Sequence, residues 1–229
     1  MATQYAFGKI VTDGLVLCLD AADRNSYVSG STTWVDVAGS NNGTLTNGPT
    51  FNSTNGGSIV FDGADDRVNN TNLLAFGNNP RTMELWIKGT GTNQIPLSIG
   101  YNNGSNTAFA LNIASTTTVN IYGQTDPMDE NNISVSVNFA NGAWHQATVT
   151  WDGADPGTLL IYGDGNQVGT RTRSAGEFYN TVAGYYVGGW SDGNRFYNGQ
   201  IASVKIYTRA LSSSEVLQNY NAQKSRFGL

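Results

Sequence analysis

The chain has 229 residues, including 28 glycines, and only 13% of its residues are charged. Its net charge is −5 and its twelve lysines and arginines are scattered, which argues against nucleic acid as a partner because phosphate contacts need a clustered basic surface. This composition favours a turn-rich antiparallel β fold, since helices would need more alanine, leucine, glutamate and lysine.

Targeting and redox features are equally plain. No apolar run approaches the roughly 18 residues that a membrane-spanning helix needs, so we expect no membrane insertion. The opening residues 1–10 lack the basic and apolar regions of a secretion signal. Cys18 is the single cysteine and lies in an apolar run, which predicts a buried, unreactive thiol and no intramolecular disulfide.

The first 70 residues predict an arm, three strands and a long connection. Residues 1–13 have little core of their own and are interpreted as an N-terminal arm. Residues 15–20 are apolar on both faces and predict a central strand. The long polar connection that follows has Trp34 as a candidate anchor, because long loops in compact domains are usually functional or pinned. Residues 57–62 predict a strand, and 67–70 a partner that pairs back on it.

The middle of the chain alternates between apolar and polar residues, which predicts strands with one buried face. These strands cover residues 82–88, 95–101, 107–114, 119–122, 133–139, 184–190 and 200–207. In residues 142–169, Ala147, Val149 and Trp151 point to a buried face and the residues between them to a wet one. A second apolar run at 159–162 and a Gly/Asp turn complete a β-meander.

Only the end of the chain predicts a helix. Ser212 is a candidate N-cap with Glu215 three residues later, and Val216, Leu217 and Tyr220 supply one apolar face. About a dozen strands separated by turns every 8 to 12 residues predict an all-β, two-sheet antiparallel sandwich. We therefore predict a single domain over residues 14–229 with a short C-terminal helix.

Four segments stand in a recognisable order along the chain: V-T-D-G-L-V-L-C-L-D from Val11, G-G-S-I-V-F-D-G from Gly56, W-H-Q-A-T-V-T-W-D-G from Trp144 and F-Y-N-G-Q-I-A-S-V-K-I-Y from Phe196. In this order they resemble laminin-G-like (concanavalin A-like) domains, in particular those of tailed-phage structural proteins. The resemblance implies a jelly-roll sandwich and a location in the virion.

The residues argue against an enzyme. His145 is the single histidine, and it is interpreted as structural because no nucleophile motif accompanies it. A zinc site would need more histidine or cysteine. Glycosidases of the resembled superfamily carry alternating acids on one strand, and the four glutamates here show no such pairing. Asp65-Asp66 and Asp129-Glu130 are adjacent in turns, and we expect their side chains to diverge into water.

A calcium ion is a candidate ligand that the resemblance implies, since such domains often hold one at the rim of the sandwich. Calcium prefers oxygen ligands, which Asp20, Asp36 and Asp62 could supply with Asn41 or loop carbonyls. Against this, the closing strand carries Ala202-Ser203 where relatives often show acidic residues. Aspartate also occupies turns for its own backbone hydrogen bonds, with no metal required.

Glycan binding by this fold usually places an exposed aromatic ring beside polar groups. Aromatic residues next to Gly/Asn/Asp turns are therefore candidates, and the best set surrounds residues 184–190. The candidate glycan-binding residues are Tyr101, Tyr186, Trp190, Asp192 and Asn194, with Tyr197 as a further aromatic.

The sequence thus supports a non-enzymatic phage virion protein, with a capsid decoration protein as the first hypothesis. Its arm or its C-terminal segment would contact neighbouring copies or other virion proteins, which implies a homo-oligomer on the particle. The alternative is a tail-fibre or head-fibre adhesin that binds host surface carbohydrate. A polysaccharide-degrading enzyme is the third hypothesis.

Overall fold

The computed structural model describes residues 8–73, 75–100, 108–123, 132–173, 183–190 and 194–229. Within these ranges it contains sixteen strands, one α-helix and two 3₁₀ helices. The strands are β1 (Leu15–Asp20), β2 (Thr33–Trp34), β3 (Gly43–Thr46), β4 (Thr50–Asn52), β5 (Ser58–Asp62), β6 (Arg67–Asn70), β7 (Arg81–Gly89), β8 (Gln94–Ile99), β9 (Phe109–Ile113), β10 (Thr118–Tyr122), β11 (Asn132–Ser134), β12 (His145–Trp151), β13 (Gly157–Gly163), β14 (Asn166–Arg173), β15 (Tyr185–Val187) and β16 (Asn198–Tyr207). The helix is α1 (Ser213–Gln223), and the 3₁₀ helices are Thr54–Gly56 and Lys224–Phe227.

The strands form two antiparallel sheets of eight strands each. The first sheet has the order β14-β13-β12-β7-β16-β5-β4, with β1 joined to β16. The second has the order β11-β10-β9-β8-β15-β6-β3-β2. The predicted all-β sandwich with a short C-terminal helix is confirmed.

Alternating side chains from both sheets build the core between them. Met83, Leu85 and Ile87 on β7 are fully buried, and they meet residues such as Leu97 and Val187 of the second sheet in one cluster. Each fully buried aliphatic side chain contributes roughly 1.5–3 kcal/mol of transfer free energy. Trp34 is also fully buried, so the predicted anchor of the long connection is confirmed.

The strand pairing corrects the predicted positions of β1 and β6. β7 lies along one edge of β16, while β5 pairs with Asn198–Ile201 and β1 with residues 203–207 on the other edge. In the described strands β1 has β16 as its pairing partner and is a branch of the sheet, so its predicted central place is wrong. β6 does not pair back on β5 either, because the turn after β5 carries the chain across to the second sheet.

The outward face of the first sheet is covered, which the sequence did not indicate. Gln146, Thr148 and Thr150 were expected on a wet face, but their exposed fractions are 0%, 0% and 2%. The C-terminal segment covers this face: Trp86 on β7 stacks against the rings of Tyr220 and Phe227, at 5.7 and 4.1 Å.

A buried ion pair lies beneath this cover. Lys205 Nζ on β16 donates to Glu84 Oε1 on β7 at 2.9 Å and to Gln223 Oε1 of α1 at 2.7 Å. Asn219 Nδ2 donates to the other Glu84 oxygen at 2.7 Å. Burial alone would lower the pKa of Lys205, but the Glu84 carboxylate holds that pKa above its ordinary value. The helix therefore docks on the sheet through hydrogen bonds to charged groups as well as through aromatic packing.

Helix α1 begins as predicted and packs slightly differently. Ser212 and Glu215 form the capping box, and Arg209 donates to both Glu215 oxygens at 2.6 and 2.8 Å. This pairing lowers the pKa of Glu215 to about 2. Leu217 is 43% exposed, so its predicted place on the apolar face is wrong, and Asn219 is buried instead. In the described part of the chain no helix is both long and apolar enough to cross a membrane.

The described end of the N-terminal arm lies against α1. Val11 packs in a cluster with Tyr207, Leu211 and Val216, and its backbone N–H donates to Asn219 Oδ1 at 2.7 Å. Gln218 Nε2 donates to the carbonyl of Lys9 at 2.8 Å. Residues 8–11 and the C-terminal helix therefore share one side of the sandwich.

The buried ion pair yields a stability prediction. Lys205→Met leaves the Glu84 carboxylate buried without its cation, and removing one partner of a buried pair typically costs about 3–5 kcal/mol. We expect urea unfolding to show a loss of that size. The double variant Glu84→Gln/Lys205→Met removes both charges and should recover a large part of it. A single variant as stable as the parent protein would contradict this account.

Candidate functional site

The outward face of the second sheet carries a row of side chains fixed by strand register. Tyr185 and Val187 on β15 are fully buried in the core, so Tyr186 between them points outward. Tyr186 pairs with Asn69 on β6 and with Ser98 on β8. The complete row across seven strands is Thr33, Thr44, Asn69, Tyr186, Ser98, Ala110 and Tyr122.

One end of this row opens into a polar cavity of 330 Å³, called here the amide pocket. Its lining consists of hydroxyl and amide side chains and contains no charged group among the described residues. The lining residues are Ser40, Asn42, Thr44, Asn69, Asn70, Thr71 and Asn72. Asn70 Nδ2 donates to the carbonyl of Asn42 at 2.7 Å, and Asn70 Oδ1 accepts the N–H groups of Asn72 and Leu73. The pocket walls are therefore held in place by their own hydrogen bonds.

The other end of the row is an aromatic group, called here the Trp190 cluster. It contains Ile95, Ala108, Ala110, Tyr122 and Trp190. Trp190 is 5% exposed and meets the ring of Tyr122 edge-on at 5.3 Å. Arg195 lies over the same tyrosine, with its guanidinium carbon 5.1 Å from the ring centre, and donates to Asn93 Oδ1 at 2.9 Å.

Three buried polar atoms of this face lack a hydrogen-bond partner among the described residues: Asn112 Oδ1, Asn120 Oδ1 and Trp190 Nε1. Asn112 and Asn120 pair directly across β9 and β10, and both are at least nine-tenths buried. Leaving a buried polar group unsatisfied costs about 1–3 kcal/mol. Such groups call for water or a ligand as their partner.

The predicted glycan-binding residues fall into three groups. Tyr186 lies half-buried in the middle of the outward row, next to the amide pocket. Trp190 is buried rather than open. Asn194 is exposed, and its backbone carbonyl accepts the backbone N–H of Trp190 at 3.0 Å. Tyr101 and Asp192 lie outside the described residues. The glycan-binding role of all five stays a prediction. Tyr197 is 1% exposed and packs edge-on against Phe61 in the core.

Several residues of this face were missed by the sequence reasoning. Asn69, Asn112 and Asn120 lie on strands whose alternate residues are buried in the core. The signal that indicates them is the same period of two. In A-L-N-I and T-V-N-I-Y, Asn112 and Asn120 lie on the opposite face of the strand from their neighbours Leu111 and Ile121. The candidates were chosen as aromatic residues beside turns, so asparagines within strands were not considered.

Two of the three calcium candidates already use their carboxylates within the protein. Asp20 Oδ1 accepts from Arg226 Nη1 at 2.7 Å and from the N–H of Ala22 at 2.9 Å. Asp36 accepts the backbone N–H groups of Cys18 at 2.9 Å and Asn41 at 3.1 Å. These contacts give both residues a structural role, and calcium at the predicted set stays a prediction.

Asp62, the third candidate, belongs to a different acidic group. Its carboxylate lies with those of Asp65 and Asp66, with oxygens within 4.8 Å of one another. Asp66 is 5% exposed and accepts the Asp62 N–H at 3.0 Å, so the expectation that Asp65 and Asp66 both face water is wrong for Asp66. Burial, with the charges of Asp62 and Asp65, raises the pKa of Asp66. The N–H of Ala64 lowers the pKa of Asp62.

The groups that suggested catalysis have structural partners. His145 Nδ1 is 2.7 Å from Asp164 Oδ2, and its Nε2 is 3.1 Å from Asn141 Oδ1. Asp164 also accepts the N–H of Gln146, so the pair ties the start of β12 to the turn after β13. Glu84 and Glu215 serve the ion pairs already described. Asp129, Glu130 and Glu177 lie outside the described residues.

The single thiol behaves as predicted. Cys18 is free and 6% exposed. Burial raises its pKa to about 12, so the reactive thiolate is scarce at neutral pH.

Comparison with known proteins identifies the fold. A family model described as the concanavalin A-like lectin/glucanases superfamily (Laminin_G_3) matches residues 61–217. A comparison of the sequence with curated proteins finds no match.

Solved structures with the same fold include a domain of an arabinanase, a sialidase and the binding domain of a neurotoxin. Domain 4 of AbnA, a GH43 extracellular arabinanase from Geobacillus stearothermophilus in complex with arabinotriose, is 17% identical with a TM-score of 0.65, over 90% of this chain and 98% of that domain. The Trypanosoma rangeli sialidase is 17% identical with a TM-score of 0.69, over 99% of this chain and 36% of the sialidase. The binding domain of botulinum neurotoxin DC in complex with SialylT is 14% identical with a TM-score of 0.66, over 93% of this chain and 52% of that domain. At these identities the likeness shows the fold.

The acidic group at Asp62, Asp65 and Asp66 gives a pH prediction. A raised pKa means that folded Asp66 holds its proton more tightly than the unfolded chain does, so its contribution favours folding at low pH and declines as pH rises through that pKa. Asp66→Asn keeps an acceptor for the Asp62 N–H and should raise the free energy of unfolding at pH 7 relative to the parent protein, with little difference at pH 3.

Asp62→Asn is the matched control. Because the pKa of Asp62 is lowered, its contribution is present at neutral pH and declines as pH falls through that pKa, so this variant should lose more stability at pH 7 than at pH 3. Urea titrations at both pH values, with and without calcium chloride, measure these differences. Equal shifts for both variants at pH 7 would refute the assignment, and a calcium-dependent reversal at Asp66 would reveal a bound cation.

Proposed function

The chain belongs to the concanavalin A-like lectin/glucanases superfamily, and we propose that it is a non-catalytic carbohydrate-binding domain that holds a glycan on the outward face of its second sheet. The single observation that carries this proposal is the position of Tyr186. Its ring lies between the amide pocket and the Trp190 cluster, in a row fixed by antiparallel register.

The chemistry of this face suits a sugar. The C–H face of a sugar ring packs on an aromatic side chain, while its hydroxyl groups need donors and acceptors close by. Tyr186 offers the ring, and Asn69, Asn42 and Thr44 offer amide and hydroxyl groups beside it. The unpartnered oxygens of Asn112 and Asn120 lie further along the same face and would accept from ligand or bridging water.

Related structures support the proposal. The arabinanase domain was solved with arabinotriose and the neurotoxin binding domain with SialylT. A carbohydrate ligand is therefore compatible with this architecture. At sequence identities of 14–17%, the ligand of this chain is argued from its own residues and not from those of its relatives.

The proposed absence of catalysis rests on the carboxyl groups. Cleavage of a glycosidic bond needs two of them about 5–10 Å apart across the sugar. No carboxyl group lines the amide pocket in the part of the chain that the structure describes. Hydrolysis of an arabinan or of a sialoside by the purified protein would overturn this part of the proposal.

A place in a virion remains a proposal that rests on the resemblance of the quoted segments to phage structural proteins. A capsid decoration protein would bind particles that lack it, in many copies, whereas a fibre adhesin would bind host polysaccharide. Cosedimentation of the purified protein with such capsids, compared with its binding to host cells, distinguishes the two. Binding to neither would remove the virion proposal and leave the carbohydrate proposal standing.

The carbohydrate proposal predicts the behaviour of Tyr186 variants. The glycan bound by the parent protein is first identified on a glycan array that includes arabinan oligomers and sialosides. Tyr186→Ala removes the ring and should weaken binding of that glycan at least about tenfold, a loss of about 1.4 kcal/mol. Titration calorimetry measures the difference.

Tyr186→Phe is the matched control, because it keeps the ring and removes the hydroxyl, and it should bind within about threefold of the parent protein. Asn69→Ala tests the adjacent amide and should also weaken binding. The melting temperature of each variant is measured, so that loss of fold is not mistaken for loss of binding. Binding by Tyr186→Ala equal to that of the parent protein would refute the location of the site.

A further inference from the structure

A second cavity, called here the edge cavity, opens at the edge of the sandwich, between the connection that precedes β2 and the turn that joins β3 to β4. Its volume is 360 Å³. Its lining shares no residue with the amide pocket and contains no charged side chain among the described residues. The lining residues are Tyr27, Ser29, Gly30, Ser31, Thr32, Leu45, Gly48, Pro49, Thr50 and Phe51.

The first wall of the edge cavity is a turn held by its own hydrogen bonds. The N–H of Ser31 donates to the carbonyl of Val28 at 2.9 Å, and Gly30 takes a φ of +87° that favours glycine. Tyr27 Oη donates to the carbonyl of Ser31 at 3.0 Å, which fixes the ring below the turn. Ser31 Oγ in turn donates to the carbonyl of Thr33, at the start of β2.

The second wall is equally constrained. Asn47 and Gly48 have φ values of +70° and +109°, as required by the tight reversal between β3 and β4. Asn47 Nδ2 donates to the carbonyl of Asp65 at 3.0 Å, tying this reversal to the next turn of the chain. Pro49 follows this reversal directly, and its ring fixes its own φ. Because both walls are already ordered, binding of a ligand would cost little free energy for ordering the protein.

The floor of the edge cavity is aromatic and its rim is hydroxylated. The rings of Tyr27 and Phe51 lie 5.4 Å apart at 31°, and Tyr27 in turn contacts the buried Trp34 edge-on. Leu45 and Pro49 extend the apolar surface. Ser29, Thr32 and Thr50 supply hydroxyl groups around it.

We propose that the edge cavity is a second binding site, one that takes a single uncharged sugar ring. The aromatic floor would pack against the C–H face of the ring, and the serine and threonine hydroxyls would exchange hydrogen bonds with its hydroxyl groups. Its volume lies near the lower end of the roughly 300–1,000 Å³ typical of small-molecule pockets, which suits one ring rather than a chain.

The same lining disfavours acidic sugars. A buried carboxylate is held by arginine, lysine or converging N–H donors, and no arginine or lysine lines the edge cavity in the described residues. The edge cavity also precedes residues 61–217, the segment that matches the family model, so its lining belongs to a part of the chain outside that match. It stands apart from the site proposed on the second sheet.

The test uses the ¹⁵N-labelled full chain and five probes: the methyl glycosides of glucose, galactose, mannose and fucose, and that of N-acetylneuraminic acid. At least one neutral glycoside should shift the amide signals of Gly30, Thr32, Gly48 and Thr50 in a saturable way, with a Kd of about 1–10 mM. The sialoside should leave these signals unchanged. Shifts confined to other residues, or absent up to about 50 mM of every neutral probe, would overturn the proposal.

A matched pair of variants supports the assignment. Ser29→Trp fills the edge cavity and should weaken binding at least about tenfold. Val28→Trp puts the same side chain on the neighbouring residue, which is 62% exposed and does not line the cavity, and should leave binding unchanged. Equal binding by both variants, with melting temperatures showing that both are folded, would overturn the proposal.

Tyr186→Ala separates this inference from the proposed function. It should weaken binding at the second sheet at least about tenfold while leaving the amide shifts of the edge cavity intact. Loss of those shifts in Tyr186→Ala would contradict two separate sites, whereas their persistence without any binding at the second sheet would support the edge cavity alone.

Discussion

Two sheets packed face to face leave each sheet with one outward face, and a buried ion pair determines how the outward face of the first sheet is closed. On the first sheet the outward face carries the Glu84–Lys205 ion pair, and helix α1 closes over it. A buried charge pair is tolerable only where further hydrogen bonds satisfy it, and Gln223 and Asn219 provide them. The helix therefore packs on the first sheet, while the outward face of the second sheet carries the half-buried Tyr186 beside the amide pocket.

The ion pair also constrains the register of the sheet that supports the candidate site. β7 and β16 contribute one charge each, so a shift of either strand by one residue would send its charge into the core and leave the other charge without its partner. The two sheets share one hydrophobic cluster, which packs β7 and β16 against β8 and β15. Tyr186, Asn69 and Thr44 therefore lie on the sheet that packs, through this core, against the sheet with the ion pair. Rigid strands of this kind position side chains better than loops do.

The fold was largely predictable from the sequence because period-two alternation and turn residues specify strands locally. Met83, Leu85 and Ile87 could be assigned to the core from spacing alone, as could the cap at Ser212. The wet face expected at Gln146 and Thr148 was wrong because its cover comes from residues more than sixty positions later. The crossing of β6 to the second sheet was missed for a similar reason, since one of its two partners, β15, lies more than a hundred residues later in the chain. At the candidate site Tyr186 was among the predicted residues, but Asn69 and Asn112 were not. Period-two spacing places each asparagine on the outward face of its strand, whereas bringing Asn69 beside Tyr186 depends on pairing between strands distant in the chain.

The contacts of residues 8–11 and of Lys224–Phe227 have a consequence for how the molecule is displayed. Both segments lie on the helix-covered side, through Val11 against Asn219 and through Phe227 against Trp86. A tether attached at either end would therefore leave the row at Tyr186 facing away from its support. Copies immobilised in this way would present that face in a common orientation. Weak contacts with a repetitive glycan would then combine through effective concentration, so an array of this domain would hold a surface far more tightly than one copy does.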